Sequence, residues 1–378
     1  MMKILILQKQ SDDGCTWYRL TQFAKEANKQ GLADVQFVNL NLNEEDLSRI
    51  FKEADIFIGR LNPELGMVAE YIKNMGKPLI IDIDDSIDDI NPYSDHYSKL
   101  GVTEVPDLWK NKEGGFDIEA NKKRIEAYKE LLKQADVVTT TTLELSEYVK
   151  QYNENVAIVP NYIDPDNFPV LNFAPTNQVN LLWSGGSSHF ADLWEVKPVI
   201  ESLMVEYPNL HFYLVGMPHF KSIVKDMPKD RVHLMGWVKP DGHGFRLACL
   251  QPHIGICPIV DTKFNKLKSS IKYYELSALG VATIARNIPP YSNDIVDGQT
   301  GYLYNDNNQL RTCIEQMILD PINRITMSQN AYKDILKRRN IKTGINDWIS
   351  LMKGIKDAYS SLHGNNSEQR SAEGESRS

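Results

Sequence analysis

The sequence is poor in cysteine: Cys15, Cys249, Cys257 and Cys313 are the four in 378 residues, and none stands at CxxC or other metal-type spacing. That excludes a disulfide framework and a zinc module, and predicts a reduced, cytoplasmic protein. Long apolar runs are also missing. The opening MMKILILQKQ turns polar after the first strand's worth of residues, too short for a signal peptide or a span, so any membrane contact is expected to be peripheral. No GxGxxG follows that strand, where QKQSDDGC stands instead, which argues against a nicotinamide oxidoreductase. Excess positive charge is lacking too: 42 Lys and Arg face 50 Asp and Glu, a net charge of −8. A protein that coats nucleic acid is thereby disfavoured, while local basic patches are not. What remains is ordinary globular composition, 42% hydrophobic and 24% charged, on a chain long enough for two cores.

The apolar segments alternate with helical periods. KILILQ (3–8), DVQFVNL (34–40), ADIFIGRL (54–61), KPLIIDID (77–84), ADVVTTT (135–141) and VAIVPN (156–161) read as strands buried on both faces. Helices fit between them at about 16–30, 43–54 and 143–152. A second series holds VNLLWSG (179–185), HFYLVGM (211–217), VHLMGWV (232–238), IGICPI (254–259), VATIARN (281–287) and GYLYN (301–305) as strands. Its helices are expected at 191–207, 244–250 and 269–279. Strand–helix alternation predicts an α/β fold with two Rossmann-like, doubly wound domains facing across a cleft. The domains are expected at 1–162 and 179–321, joined by a Pro-containing linker at 163–178. C-terminal helices at 322–362 are expected to pack back on the domain pair, with Ile345, Trp348, Ile349, Met352 and Ile355 on one face. The tail 363–378 lacks apolar residues and is expected to be disordered. Residues 86–118 break the rhythm with a long polar, aromatic-dotted stretch, either an acceptor-binding loop or a solvated excursion.

Residues 263–282, KFNKLKSSIKYYELSALGVA, carry the densest chemistry. Ser269 or Ser270 suits an N-cap before Ile271, and Gly280 suits a helix terminator. A helix start attracts anions, Lys268 and Lys272 flank it, and Glu275 lies one turn in, where a carboxylate suits a ribose diol. One reading is a nucleoside-diphosphate clamp; the other is a solvated lysine patch beside a capped helix. Ser184, Gly185, Gly186 and Ser187 at a strand end read as an oxygen-binding glycine loop or as a plain turn. His189 beside them is either a donor to a sugar or phosphate or a solvated loop residue. Asp82, Asp84 and Asp85, with Asp88 and Asp89, form an acid cluster with three readings: a Mg²⁺ or Mn²⁺ site, an acceptor site that could take a proton, or an Asp-rich turn. In the first loop Gly14 permits close approach and Arg19 could meet an anion, whereas Trp17 and Tyr18 suit helix packing. Cys15 has no histidine partner in sequence to make it a nucleophile.

The block 256–304 resembles the nucleotide-sugar half of GT-B glycosyltransferases, most of all glycosyltransferase family 4. Glu275, Ala278-Leu279-Gly280, Ile284 and the turn Asp297-Gly298-Gln299-Thr300-Gly301 fill the places of that pattern. LLWSGGSSHFADLWEVKPVIESLMVEYPNLHFYLVG (181–216) is similar to the family's strand, glycine loop and helix, MGW (235–237) to the place of the base, and IVPNYID (158–164) to the crossing between domains. There are two departures. Leu267 stands where the family's Glu-x7-Glu pair has its first acid, and SGGSSHFADL has no arginine or lysine, so that Lys268 would stand in. The resemblance implies a hexosyltransferase that moves a sugar, with retention, from a nucleotide-diphosphate sugar to a hydroxyl of a glycan or glycoconjugate. The donor would meet Ser184, Gly185, Gly186, Ser187, Trp237, Lys268, Ser269, Ser270, Ile271, Lys272 and Glu275. The acceptor would meet Gly14, Arg19, Asp82 and Asp84, and the catalytic candidates are Asp84, Asp85, Lys268 and Glu275. No metal would be obligatory, with Mg²⁺ left open. Two alternatives stand beside this: a phage-type enzyme with modified DNA as acceptor, and a non-catalytic nucleotide-sugar-binding protein of the same fold.

Overall fold

The structure, a computed structural model, describes residues 1–171, 177–216 and 221–375, with backbone alone for Ser187 and for 363–375. Residues 172–176 of the expected linker, and Met217 of an expected strand, lie outside the described residues. All twelve expected strands form. The chain divides into two units: Met1–Asp84 with Lys123–Val159 and Ile341–Ser378, and Asp85–Lys122 with Pro160–Asn340.

The first unit is built on β1 (Lys3–Ile6), β2 (Asp34–Phe37), β3 (Ile56–Arg60), β4 (Leu79–Asp82), β5 (Val137–Thr140) and β6 (Val156–Ile158). All pairings are parallel, in the order β2-β1-β3-β4-β5-β6. Ile4, Leu5, Ile56, Phe57, Ile80 and Ile81 are fully buried, which is why these strands read as unbroken apolar runs. Local signals set the helices. Asn43 caps Glu44–Glu53 by accepting from Asp46 N, and three acids occupy its first turn. Thr142 caps Leu143–Val149 in the same way. The direction of the chain reverses between β1 and β3, so their carboxyl ends mark the crevice of this sheet.

The second unit holds β7 (Val179–Ser184), β8 (Leu210–Val215), β9 (Val232–Met235), β10 (Ile254–Cys257), β11 (Ala282–Arg286) and β12 (Tyr302–Tyr304). Their parallel order is β12-β11-β10-β7-β8-β9, the dinucleotide-fold order 3-2-1-4-5-6. Trp183, Leu181, Phe212, Ile200, Leu203, Ile254, Ile284 and Ile314 make its core. Gly280 ends the helix Ile271–Leu279 with φ of 77°, the left-handed conformation that glycine adopts without a Cβ clash.

Three expectations about organisation change. Residues 86–118 are not a solvated excursion: Ile90, Tyr97 and Phe116 bury themselves around Phe264, with Trp109 packed on them. The polar pattern hid this because the aromatic residues are spaced irregularly. The C-terminal helices part company. Pro321–Arg338 stays with the second unit, where Arg338 Nη1 meets Asp294 Oδ1 at 2.8 Å. The last helix belongs to the first unit, where Trp348 stacks on Phe23 with ring centroids 5.4 Å apart and the expected stripe Ile345, Trp348, Ile349, Met352 and Ile355 is buried. Its backbone is helical from Ile341 to Glu375, through most of the tail expected to be disordered. Lack of apolar residues denies a tail packing, but it does not break i→i−4 bonding, and no proline interrupts them.

Candidate functional site

In the second unit the strand order reverses between β7 and β10, so a ligand is expected at their carboxyl ends. β7 ends at Ser184, followed by Gly185 and Gly186, a 3-10 turn Ser187–His189 and the helix Phe190–Glu206. β10 ends at Cys257, and the helix Ile271–Leu279 starts downstream. The residues singled out in 263–282 therefore converge on the glycine loop.

Lys272 is the link between them. Its Nζ lies 2.7 Å from His189 Nε2, and His189 Nδ1 lies 2.6 Å from Asp192 Oδ2. Asp192 Oδ1 accepts from Val260 N at 2.7 Å and from Asn265 Nδ2 at 3.4 Å. An ammonium only donates, so His189 Nε2 is the acceptor and Nδ1–H the donor, and the ring is neutral. Burial, then the charge on Lys272, pulls the His189 pKa down to about 4, outweighing Asp192. Burial also lowers Lys272, helped by Lys268 nearby. His189 is thus a buried link, not a solvated loop residue. Gly185 is required by close approach: a Cβ there would meet the Trp183 ring at 2.8 Å and Lys272 Cε at 3.0 Å. Gly186 has open space around it.

Lys268 Nζ sits 4.6 Å over the Phe264 ring and 3.6 Å from Asp85 Oδ1. Glu275, one turn into the helix, is buried, with His243 Nε2 3.7 Å from its Oε2 and Ser184 Oγ 3.4 Å from the same nitrogen. Burial alone would push the His243 pKa down; the Glu275 carboxylate overrides it and raises it. Trp237 lies past the end of β9 and is 57% exposed. Ile271 is half-buried. The serines do not cap as expected. Ser270 holds the N-cap position, but its hydroxyl donates to Pro290 O at 3.0 Å, and Ser269 Oγ accepts from Asn161 Nδ2 at 2.8 Å. Both hydroxyls are drawn to loops that anchor the helix start, which leaves backbone amides and lysines as the donors that an anion could meet there.

The acid cluster does not form one site, because Asp82, Asp84, Asp85 and Asp89 each face a different base. Asp82 is 2% exposed and takes Arg19 Nε at 3.0 Å, Arg19 Nη2 at 2.7 Å and Thr139 Oγ1 at 2.7 Å. Arg19, in a π-helical turn, also donates to Val159 O at 2.6 Å. These two expected acceptor residues are therefore a buried pair that ties β4, β5 and the first helix together. Asp84 meets Arg60 Nη2 at 2.8 Å, and Arg60 reaches on to Asp13 at 3.5 Å. Burial opposes the charge on Asp84, but Arg60 and the hydrogen bond from Cys15 hold its carboxyl well below the usual range. That makes Asp84 a poor proton acceptor. Asp85 faces Lys268, and Asp89 faces Lys263 at 3.3 Å. Among the described residues no three His, Cys, Asp or Glu side chains are grouped to hold a metal ion. Gly14 opens a short helix capped by Asp13, with nothing near its Cβ position, so no close approach explains it.

No family model and no curated protein matches the sequence. Solved structures do match the fold. Sucrose-phosphate synthase from Thermosynechococcus elongatus superposes with a TM-score of 0.66 at 14% identity, over 95% of this chain and 100% of that one. Anabaena HepE, solved in complex with UDP-glucose, gives 0.63 at 14% identity over 94% and 100%. A glycosyltransferase from Rickettsia africae gives 0.61 at 13% identity over 94% and 98%. The fold is GT-B. In this GT-B chain, no helix of the described residues is long and apolar enough to cross a membrane.

Sequence reasoning missed His243, Asp192 and Arg60 at the strand ends of the GT-B units. His243 and Asp192 sit in helical stretches, PDGHGFRLAC and FADLWEV, where a lone polar residue carries no signal of its own. Arg60 closes an apolar run, IFIGR, and that position was the available clue: a charge at the carboxyl end of a parallel strand faces the crevice.

Proposed function

We propose that this chain is a glycosyltransferase that takes a sugar from a nucleoside-diphosphate sugar. One observation carries the reading: two lysines at the start of the helix Ile271–Leu279, with a buried carboxylate one turn on, sit at the strand reversal between β7 and β10. Lys268, Lys272 and the helix amides suit the diphosphate, Glu275 the ribose hydroxyls, and the exposed Trp237 ring the base. The loop Ser184–Ser187 lies beside them, with His243 adding a donor next to Glu275. Phosphate charge that develops as the sugar leaves would be stabilised by the two lysines, with no metal required of this unit. Asp85 is the counter-ion that a diphosphate would displace from Lys268, and Asp84, held ionised by Arg60, suits a hydrogen-bond acceptor better than a base. Retention of configuration and a hexose as the sugar follow from the resemblance to family 4. A glycan or glycoconjugate hydroxyl is the acceptor in that reading. Its neighbours in fold include HepE solved with UDP and glucose, and TarM solved with fondaparinux, α-GlcNAc-glycerol and UDP.

A second reading is favoured by Leu267, which is buried where the resemblance has an acid near the transferred sugar. In it the chain binds nucleotide sugars without turning them over. Thermal-shift measurements with UDP, GDP, ADP, CMP and NAD(H), with and without Mg²⁺, test the shared part: a metal-independent rise with one nucleoside diphosphate is expected. A rise with NAD(H) alone would sink both readings. Turnover of pooled sugar donors then separates enzyme from binding protein.

A further inference from the structure

Lys268 and Lys272 are held in different ways. Lys268 faces a carboxylate directly, Asp85, at 3.6 Å. Lys272 reaches Asp192 through a ring: Nζ to His189 Nε2 at 2.7 Å, and Nδ1–H to Asp192 Oδ2 at 2.6 Å. A carboxylate in direct contact would compete with a phosphate for the ammonium. An imidazole placed between them takes one of the three ammonium donors and keeps the negative charge a ring's width away. The acid end is fixed independently, since Asp192 Oδ1 also accepts from Val260 N at 2.7 Å, in the chain leaving β10. The lysine stem also runs close to Gly185, where a Cβ would meet its Cε at 3.0 Å. His189 and Asp192 are buried and Lys272 is half-buried, so the ring and the acid that hold the ammonium are set by packing and not by a surface rotamer.

We propose that His189 and Asp192 are positioning residues for nucleoside-diphosphate binding that act through Lys272. The inference rests on the reading of the site given above. Asp192 orients the ring, the ring orients the ammonium, and neither acid nor ring touches the ligand.

Calorimetry on the full chain with UDP, GDP and ADP tests it, the tightest of the three serving as probe. Lys272→Met is expected to weaken binding at least about tenfold, as loss of a charge-assisted phosphate contact does. His189→Phe is expected to cost about tenfold alone but less than about twofold in the Lys272→Met background, because its effect passes through the lysine. His189→Gln, whose carbonyl oxygen can accept from Lys272, is expected to bind within about threefold of wild type. If Phe at 189 does not fold, His189→Asn serves, since its amide reaches Asp192 but not Lys272, with the same tenfold loss expected. Unchanged affinity in His189→Phe, an equal loss in the Lys272→Met background, or failure of Gln to rescue would each overturn the proposal. A wild-type chain that binds none of the three nucleotides overturns the nucleotide reading itself, and this inference with it.

Discussion

Replacing Asp82 by Ala is the sharpest test of whether the acid run serves the fold or a ligand. Arg19 and Asp82 have side chains 1% and 2% exposed, and three hydrogen bonds converge on the two carboxylate oxygens. Removing the carboxylate takes two hydrogen bonds from the buried guanidinium, which keeps its bond to Val159 O, and strands the Thr139 hydroxyl. Breaking such a pair from one side costs about 3–5 kcal/mol, since a charge is left uncompensated out of water. Domains have about 5–15 kcal/mol in total, so the first unit would lose a large share of its stability. At about 2–4 °C per kcal/mol for a domain of this size, its unfolding midpoint should fall by roughly 6–20 °C. Circular dichroism with tryptophan fluorescence follows this, because Trp17 and Trp348 are both buried in that unit. The paired replacement Arg19→Met with Asp82→Leu should recover most of the loss, as apolar residues fill the volume without a charge to bury. A midpoint lowered by less than about 2 °C in Asp82→Ala, together with lost acceptor binding, would refute the structural role and return Asp82 to the acceptor site.

Further outcomes follow from the second unit. Glu275→Gln should weaken UDP or GDP binding about 10- to 100-fold by calorimetry, the scale of losing hydrogen bonds to a buried carboxylate, and unchanged affinity would remove the ribose role. Asp85→Asn should tighten diphosphate binding a few-fold at low salt, because a half-exposed pair at 3.6 Å is worth only about 0.2–1 kcal/mol, and the gain should fade as salt rises. His189 titrates near 4 when folded against an ordinary value of 6.5. Its neutral form is favoured in the fold, so its contribution is complete above pH 6.5 and is lost as pH falls toward 4, about 3 kcal/mol in all. His253, also lowered to about 4 by burial, adds a slope of the same sign, so the measurement is the difference between wild type and His189→Gln in acid unfolding curves. An identical acid limb in both would show that the His189 ring is not buried neutral.

The fold was legible because its information is local. A strand covered on both faces must be apolar throughout, so KILILQ, LLW and IGIC announce themselves without reference to anything distant. Gly280 after a helical period and the stripe from Ile345 to Ile355 are equally local, and each is where it was expected. The aromatic residues of 86–118 were not, because Tyr97, Trp109 and Phe116 meet through an irregular path that has no period to read.

The site divides along the same line. Composition and spacing determined that Lys268, Lys272 and Glu275 share one helix start, and that a glycine pair follows a buried strand. Tertiary structure alone decided which charge meets which. Lys272 and His189 are 83 residues apart, and Arg19 and Asp82 are 63 apart. Parallel strands bring all their carboxyl ends to one edge, so residues from separate loops become neighbours there by strand order and not by sequence distance. The same acid run could therefore read as one cluster along the chain and yet be split in the fold: Asp82 to a buried arginine, Asp84 to Arg60, and Asp85 to the lysine at the helix start. The strand ends at Asp82 and the chain bends at Asp84 and Asp85, so the three carboxylates leave the backbone in different directions and each takes the partner it meets there.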